Sequence, residues 1–351
     1  MKAAVRKATT PRRRAATRGN ERRLVTQHHP RRRVLSLAAG AVALPAISRM
    51  AWAQAYPTRP VRIIVGAPPG GGNDIVARLI SPWLAERLRH PFIIDNRPGL
   101  NTNIGAQAAA NAAPDGYTLL LVGAGHAVNV TFYGKLAVNP NRDIAPIAAI
   151  SRTSLVMLVH PSVPAKTVPE FIAYAKANPG KLNMASGGNG NPEHLAGELF
   201  KMMTGVSMLH VPYRGTARAL IDMLGGQTQV YFAGTSAALE HVRAGKLRAL
   251  AVTTAARLSA LPDVPTIGDF LPGYESSAFT GIGAPRNTSS QVINTLNREI
   301  NAGLADPKIN ARIADLGGTV IPGSPSDFGK LIAEETEKWG KVIRAANIKP
   351  E

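Results

Sequence analysis

Beyond residue 55 the chain alternates between two hydrophobic patterns. Short apolar runs rich in β-branched residues, beginning with VRIIV at 61–65, give way to stretches whose apolar residues recur three and four positions apart, beginning with Ile75, Val76, Leu79 and Ile80. The first pattern predicts strands and the second helices. Strands are expected at 91–95, 117–123 and 181–186, and helices at 103–113, 169–180 and 192–205, with Pro169 and Pro192 in first turns and Gly205 at a helix end. The alternation continues through 207–213, 216–226, 228–234, 237–245 and 246–254. A proline-rich loop at 261–275 interrupts it, a strand at 276–285 follows, and three helical patterns close the chain, the last over 326–346. Pro82 lies inside the first helical pattern and should kink it or end its first segment. Such alternation implies an α/β fold with a mostly parallel sheet covered by helices on both faces.

Two of the strand-to-helix connections are rich in glycine. GAPPGGGNDIVAR (66–78) carries Gly70, Gly71 and Gly72 ahead of Asn73 and Asp74. Backbone N–H groups at a helix N-terminus hold anions, so the loop is a candidate anion cradle. It fails both phosphate fingerprints: no G-x-x-x-x-G-K-[ST] string occurs, and the glycine spacing does not fit G-x-G-x-x-G. Asp74 is placed to cap the helix and would resist a multiply charged phosphate if it faced a ligand. NMASGGNGNPEH (183–194) repeats the device about 115 residues later and adds Ser186, Asn189 and Asn191. Amide and hydroxyl donors without lysine or arginine suit carboxylates better than polyphosphates. A tight glycine turn and a capped helix without ligand remain the plain alternatives for the two loops.

Catalytic signatures are sparse. Neither G-x-S-x-G nor H-E-x-x-H occurs. His194 and Glu198 share a helix face at i, i+4, which is weak grounds for a metal. His126 and His210 follow strands and are placed to line a cleft or to sit in structural roles. Tyr213 is read first as packing and second as a ligand contact, and the Met202–Met203 pair as core. No cofactor is expected.

Charge divides unevenly. The chain has 351 residues, 41 Lys and Arg, 22 Asp and Glu, and no cysteine. Residues 1–55 hold 13 of the basic residues and one acid, Glu21, giving +12, and the remainder holds 28 basic and 21 acidic residues, giving +7. The net +19 is therefore mostly a property of the leader, and the rest lacks the clustered basic and aromatic pattern of nucleic-acid readers. Within the leader, Arg31–Arg33 precede an apolar stretch from Val34 to Ile47, and two A-x-A sites end at Ala53 and Ala55. That pattern is expected of an export signal with a basic extension at 1–55, with a membrane-anchoring helix as the plain alternative. The paired arginines followed by Val34 and Leu35 fit twin-arginine export, and general secretion is equally open. Without cysteine there are no disulfides, thiolate chemistry or lipoprotein anchor.

The mature chain resembles the Bug family, the periplasmic substrate-binding proteins of tripartite tricarboxylate transporters. The resemblance rests on YPTRPVRIIVGAPPGGGNDIVAR, IIDNRPGLNTNIGAQAAANAAPDGYTLLL, NPGKLNMASGGNGNPEHLAGELFK, HVPYRGTARALIDMLGGQ, RAGKLRALAVTTAARLSALPDVPTI and EKWGKVIRAANIK, in collinear order from Tyr56 nearly to the end. It implies a periplasmic binding protein-like fold of type II, with two lobes of mostly parallel sheet flanked by helices and a ligand cleft between them. Lobe one would comprise 56–158 plus 281–351, and lobe two 159–280. The glycine loops would then form a carboxylate pincer, with Gly71, Gly72 and Asn73 in the first arm and Ser186, Asn189, Gly190 and Asn191 in the second. Asp74, His194, Tyr213 and Ala233 complete the candidate site. Gly66 and Ala67 replace a Pro-Phe pair usual in the family, so the pocket is expected to be roomier there. Asn191 stands where Ser or Thr is common. Ala233 stands where the family often has Asp, which argues against an amino-acid ligand.

The expected function is a monomeric, non-enzymatic periplasmic receptor that captures a small organic acid and delivers it to the membrane subunits of a tripartite tricarboxylate-type permease, without nucleic-acid partners. The rival readings are a secreted α/β enzyme acting on organic acids and a ligand-sensing receptor subunit.

Overall fold

The computed structural model describes residues 56–350 other than Ala137, so the expected export signal and its cleavage sites lie outside the described residues. The chain opens with β1 (Val61–Val65), α1 (Gly72–Leu88), β2 (Phe92–Asn96), α2 (Asn103–Ala110), β3 (Thr118–Gly123), α3 (Ala124–Phe132) and a short α4 (Pro140–Asp143). It continues through β4 (Ile144–Val159), α5 (Val168–Ala177), β5 (Asn183–Ser186), α6 (Pro192–Thr204), β6 (Leu209–Pro212), α7 (Thr216–Leu224), β7 (Val230–Gly234), α8 (Thr235–Arg243) and β8 (Arg248–Val252). It closes with β9 (Ser277–Pro285), α9 (Ser290–Leu304), α10 (Pro307–Asp315), β10 (Gly318–Val320) and α11 (Pro325–Ala345).

The strands form one curled sheet ordered β2-β1-β3-β9-β4-β7-β5-β6, with β8 and β10 also paired to β4. The expected parallel pairing holds at the two wings, where β1 pairs β2 and β3, and β5 pairs β6 and β7. It does not hold in the middle: β3–β9, β4–β9, β4–β7, β4–β8 and β4–β10 are all antiparallel, so the sheet is mixed. The reason is β4. This sixteen-residue strand is about 50 Å long and joins both wings. Its residues 144–154 pair with β9, and residues 151–153 also pair with β10. Residues 155–159 pair with β7, and 156–159 also with β8.

Each wing is covered on both faces, as the alternation predicted. One face of the first wing packs Val61, Ile63, Leu84, Leu119, Ile282 and Leu296 under α1 and α9, and the other packs Ile64, Leu120, Phe279 and Phe328 under α2, α3 and α11. The second wing packs Met157, Phe171, Met184, Phe200 and Phe232 on one face and Leu158, Tyr231, Met223 and Leu247 on the other. Fully burying each such side chain contributes about 1.5–3 kcal/mol.

The expected core placement of Met202 and Met203 fails, and of the two outcomes expected at Pro82 the end of the helix does not occur. α1 runs through Pro82 without ending there. Proline removes one backbone hydrogen bond, but the next turn is anchored by buried Leu84 and by Trp83, whose Nε1 donates to the Glu299 carbonyl at 2.8 Å. Met202 and Met203 are not core: they are 49% and 37% exposed. α6 buries Leu195, Ala196, Leu199 and Phe200, and the two methionines fall past that stripe in its last turn.

Candidate functional site

The first glycine loop is shaped by a buried carboxylate. α1 begins after Gly71, which has no side chain to cap it. Asp74, in the first turn and 1% exposed, reaches back instead: its Oδ2 accepts from the Gly70 N–H at 2.8 Å and from Arg78 Nε at 2.8 Å, and its Oδ1 accepts from Asn96 Nδ2 at 2.9 Å. Asn96 Nδ2 also donates to the Ala67 carbonyl at 3.0 Å. The Arg78 hydrogen bond, with those from Gly70 and Asn96, holds the Asp74 carboxyl at about 2, against the opposing effect of burial. Gly70, at φ +80°, takes the left-handed turn that only glycine adopts readily. The side chain of Asn73 and the N–H groups of Gly72 and Asn73 have no hydrogen-bond partner among the described residues. Those are the donors the loop offers to an anion.

The second loop has the same design with different residues. Glu193, in the first turn of α6 and 6% exposed, accepts from the Gly187 N–H, from Asn191 Nδ2 at 3.0 Å and from Thr216 Oγ1 at 2.9 Å. Asn191 caps α6, its Oδ1 accepting from the His194 N–H at 2.8 Å. Ser186 is fully buried; its Oγ accepts from the Gly188 N–H at 3.3 Å, donates to the Gly188 carbonyl at 3.1 Å and lies 2.7 Å from His210 Nε2. His194 Nδ1 accepts from the Gly190 N–H at 3.0 Å. The Asn191 N–H donates to the Gly188 carbonyl at 3.4 Å. The loop thus satisfies nearly all its own donors, and the N–H of Asn189 is the one in 187–191 with no acceptor among the described residues. Asn189 Nδ2 donates to the Lys349 carbonyl at 2.7 Å, tying the loop to the C-terminal tail.

α3 links the two loops. At its N-terminal end, a Cβ on Gly123 would lie 3.4 Å from Asn73 Nδ2, and one on Gly125 would lie 3.4 Å from Thr102 Oγ1. At its C-terminal end the Phe132 ring packs on Gly190, where a Cβ would fall 2.9 Å from Cζ. Nine helical residues separate those ends by about 13 Å along the axis. Asn101 Nδ2 donates to Asn129 Oδ1 at 3.0 Å, and Asn129 Nδ2 returns a 2.7 Å bond to the Asn101 carbonyl, pinning the 99–102 segment to α3.

The remaining candidates lie deeper. Tyr213 is half-buried, its hydroxyl donates to Asp222 Oδ2 at 2.7 Å, and burial with that acidic partner raises its pKa to about 12. Its backbone N–H donates to the Ser186 carbonyl at 2.8 Å, so it braces the second loop from below. Ala233 is fully buried on β7, paired in register with Val156. His126 is 2% exposed, its Nδ1 accepts from the Gly123 N–H at 3.0 Å, and burial lowers its pKa to about 4. His194 Nε2 lies 3.4 Å from Glu198 Oε1, which also accepts from Lys201 Nζ at 2.8 Å. No group of three or more metal-ligating side chains occurs among the described residues. A groove of about 250 Å³ between β10 and α11, lined by Arg152, Phe328 and Lys330, touches neither loop.

The space expected beside Gly66 is filled. A Cβ there would fall 2.7 Å from Thr102 Cβ and 2.8 Å from the Thr102 carbonyl oxygen, and Ala67 packs against the core under α1. The small residues admit the 99–102 segment rather than enlarge a pocket. Sequence reading missed Glu193, Asn96 and the bridging role of α3. Glu193 had a signal, an acid two residues after a capping asparagine; the other two act across 22 and more residues and had none.

Comparison with known proteins gives the family of the chain. Residues 76–348 match the model of the tripartite tricarboxylate transporter family receptor. Protein BugT of Bordetella pertussis is 33% identical over 320 residues, covering 90% of this chain and 98% of that protein. A Rhodopseudomonas palustris protein solved with adipate superposes with a TM-score of 0.74 at 36% identity, over 84% of this chain and all of that one. MatC from the same organism, solved with bound malate, gives 0.70 at 31% identity, over 82% of this chain and all of that one. This chain belongs to the tripartite tricarboxylate transporter receptor family, in which the Bug proteins fall.

Proposed function

We propose that this protein is a periplasmic receptor that captures a small organic carboxylate between the two glycine loops and delivers it to the membrane subunits of a tripartite tricarboxylate-type permease. The observation that carries the reading is the first loop. A buried, ionised Asp74 holds its backbone in place, while the Asn73 amide and the N–H groups of Gly72 and Asn73 have no partner among the described residues and can take an anion. The adipate and malate of the two R. palustris relatives support a carboxylate as that anion. The leader at 1–55 supports export, by either route, and the family supports a permease partner.

In this reading Gly71, Gly72 and Asn73 face Ser186, Asn189, Gly190 and Asn191 across a cleft. Asp74 and His194 position the loops, and Tyr213 and Ala233 support the second. Lobe one is 56–158 with 281–351 and lobe two 159–280. The change of β4 partners after Ser154 and the start of β9 at Ser277 favour hinges a few residues before those boundaries. Closing the lobes excludes water and strengthens the hydrogen bonds to the ligand. No catalytic constellation enters this scheme, and the ligand leaves unchanged.

The test is a thermal-shift screen of the mature protein against aliphatic and aromatic mono- and dicarboxylates, with nucleotides and amino acids as controls. A ligand at a hundredfold its Kd should stabilise by about 2.7 kcal/mol. A shift with ATP and with no acid would sink the proposal, and recovery of a chemically altered ligand would favour the enzyme reading.

A further inference from the structure

The registers fix which ends of the two wings meet. β3 and β4 both run antiparallel to β9, so β1, β3 and β4 share one direction. β7 runs against β4, and β5 and β6 run with β7. The carboxyl ends of the parallel strands in the two wings therefore point toward each other. Gly123, at the end of β3, is level with Ser151 of β4 through Thr280, and Gly234, at the end of β7, is level with Leu155. Four residues of β4, about 13 Å, separate those levels. Ligands of open α/β sheets bind at such strand ends, and both glycine loops lie there.

So does the turn between β6 and α7. It runs beside the second glycine loop: the Tyr213 N–H donates to the Ser186 carbonyl at 2.8 Å, and the Gly215 N–H to the Gly187 carbonyl at 3.0 Å. A Cβ on Gly187 would fall 3.0 Å from the Thr216 nitrogen. Arg214 stands in this turn and Arg218 in the first turn of α7. Both are exposed, and neither makes an ion pair or side-chain hydrogen bond among the described residues. Glu193, Asp74, Arg78 and Arg152 are by contrast already matched. Glu193 accepts from Gly187, Asn191 and Thr216, Arg78 is paired with Asp74, and Arg152 with Glu275. The second loop uses nearly all its own donors internally and leaves the Asn189 N–H. Arg214 and Arg218 thus bring uncommitted positive charge to a loop with little donor capacity left.

We propose that Arg214 and Arg218 read the charge of the ligand on the second wing: they take one carboxylate of a dicarboxylate whose other carboxylate sits at Asn73 and the start of α1. The inference rests on the receptor reading above and names the class of acid. A guanidinium offers a carboxylate two parallel N–H donors in a fixed fork. Closure of the wings removes water from the pair and strengthens it. A monocarboxylate would leave both guanidiniums against an apolar end, stripped of hydration with no acceptor in exchange. The site is therefore built to prefer a dicarboxylate over the monocarboxylate of equal length.

The experiment measures Kd by titration calorimetry at neutral pH for wild type, Arg214→Gln, Arg218→Gln, the double variant and Arg243→Gln. The ligands are succinate, glutarate, adipate and terephthalate, each against its monocarboxylate partner: butyrate, valerate, hexanoate and benzoate. Arg243 is an exposed arginine in the last turn of α8, about 12 Å from the start of that helix, and controls for the loss of charge alone. Wild type should bind at least one dicarboxylate about tenfold or more tightly than its partner acid, and the double variant should lose about tenfold or more on that dicarboxylate. The single variants should fall between. The double variant's affinity for the partner acid, and both affinities of Arg243→Gln, should change by less than about threefold. Equal wild-type affinities within every pair, an unchanged dicarboxylate affinity in the double variant, or a loss shared equally by both members of a pair or by Arg243→Gln, would overturn the inference. Failure of every acid to bind wild type would instead overturn the receptor reading.

Discussion

Replacing Asp74 with asparagine tests how the first loop is held. The carboxylate is buried, accepts three hydrogen bonds and is ionised with a pKa of about 2 rather than the ordinary 3.8. At about 1.4 kcal/mol per factor of ten, that preference contributes about 2 kcal/mol to stability at neutral pH. Arg78 is half exposed, so its share is screened by solvent and the true cost lies somewhat lower. The amide of Asp74→Asn can accept on one side only and turns a donor toward either Gly70 or Asn96, adding a mispaired buried group. Folding depresses this pKa, so the contribution is complete above about pH 4 and drains away as pH falls toward 2. Roughly half should remain at pH 3. Urea unfolding of wild type and variant at pH 7, 4 and 3 reads the difference directly. A penalty below about 0.5 kcal/mol at pH 7, or an equal penalty at pH 7 and pH 3, would refute the assignment of Asp74 as the ionised anchor of the loop.

Three further outcomes are expected. Asn73→Ala should leave the unfolding midpoint nearly unchanged, since the side chain has no partner within the described residues, and should weaken carboxylate binding roughly tenfold to hundredfold by titration calorimetry. Gly66→Val should destabilise by more than about 2 kcal/mol in thermal unfolding because its Cβ meets Thr102 at 2.7 Å, and a Thr102→Gly background should recover part of the loss. Gly190→Ala combines a left-handed φ of +71° with a 2.9 Å approach to the Phe132 ring, and should cost about 2 kcal/mol in stability and weaken ligand binding alongside.

Periodicity alone laid out most of the elements. VRIIV, TLLLV and the 192–205 pattern became β1, β3 and α6 within a residue or two, because each carries its own capping or turn chemistry nearby: Pro192 at the first position of α6, Gly205 at its end, Gly116 before β3. The glycine loops were legible for the same reason, as breaks between a strand and a helix. What the chain did not disclose locally was the direction of the central strands. β4 crosses from one wing to the other, and its pairing with β9 joins residues more than 120 positions apart.

The sequence by itself determined the α/β class, the two glycine loops and the family resemblance, since these depend on patterns a few residues long. Tertiary structure decided what the loops are made of. Asp74 reaches Asn96, Glu193 reaches Thr216, His194 stacks on His210, and Thr102 fills the space beside Gly66. These contacts form only once separate helices and strands are packed, and a spacing along the chain carries no record of which side chains will meet across it.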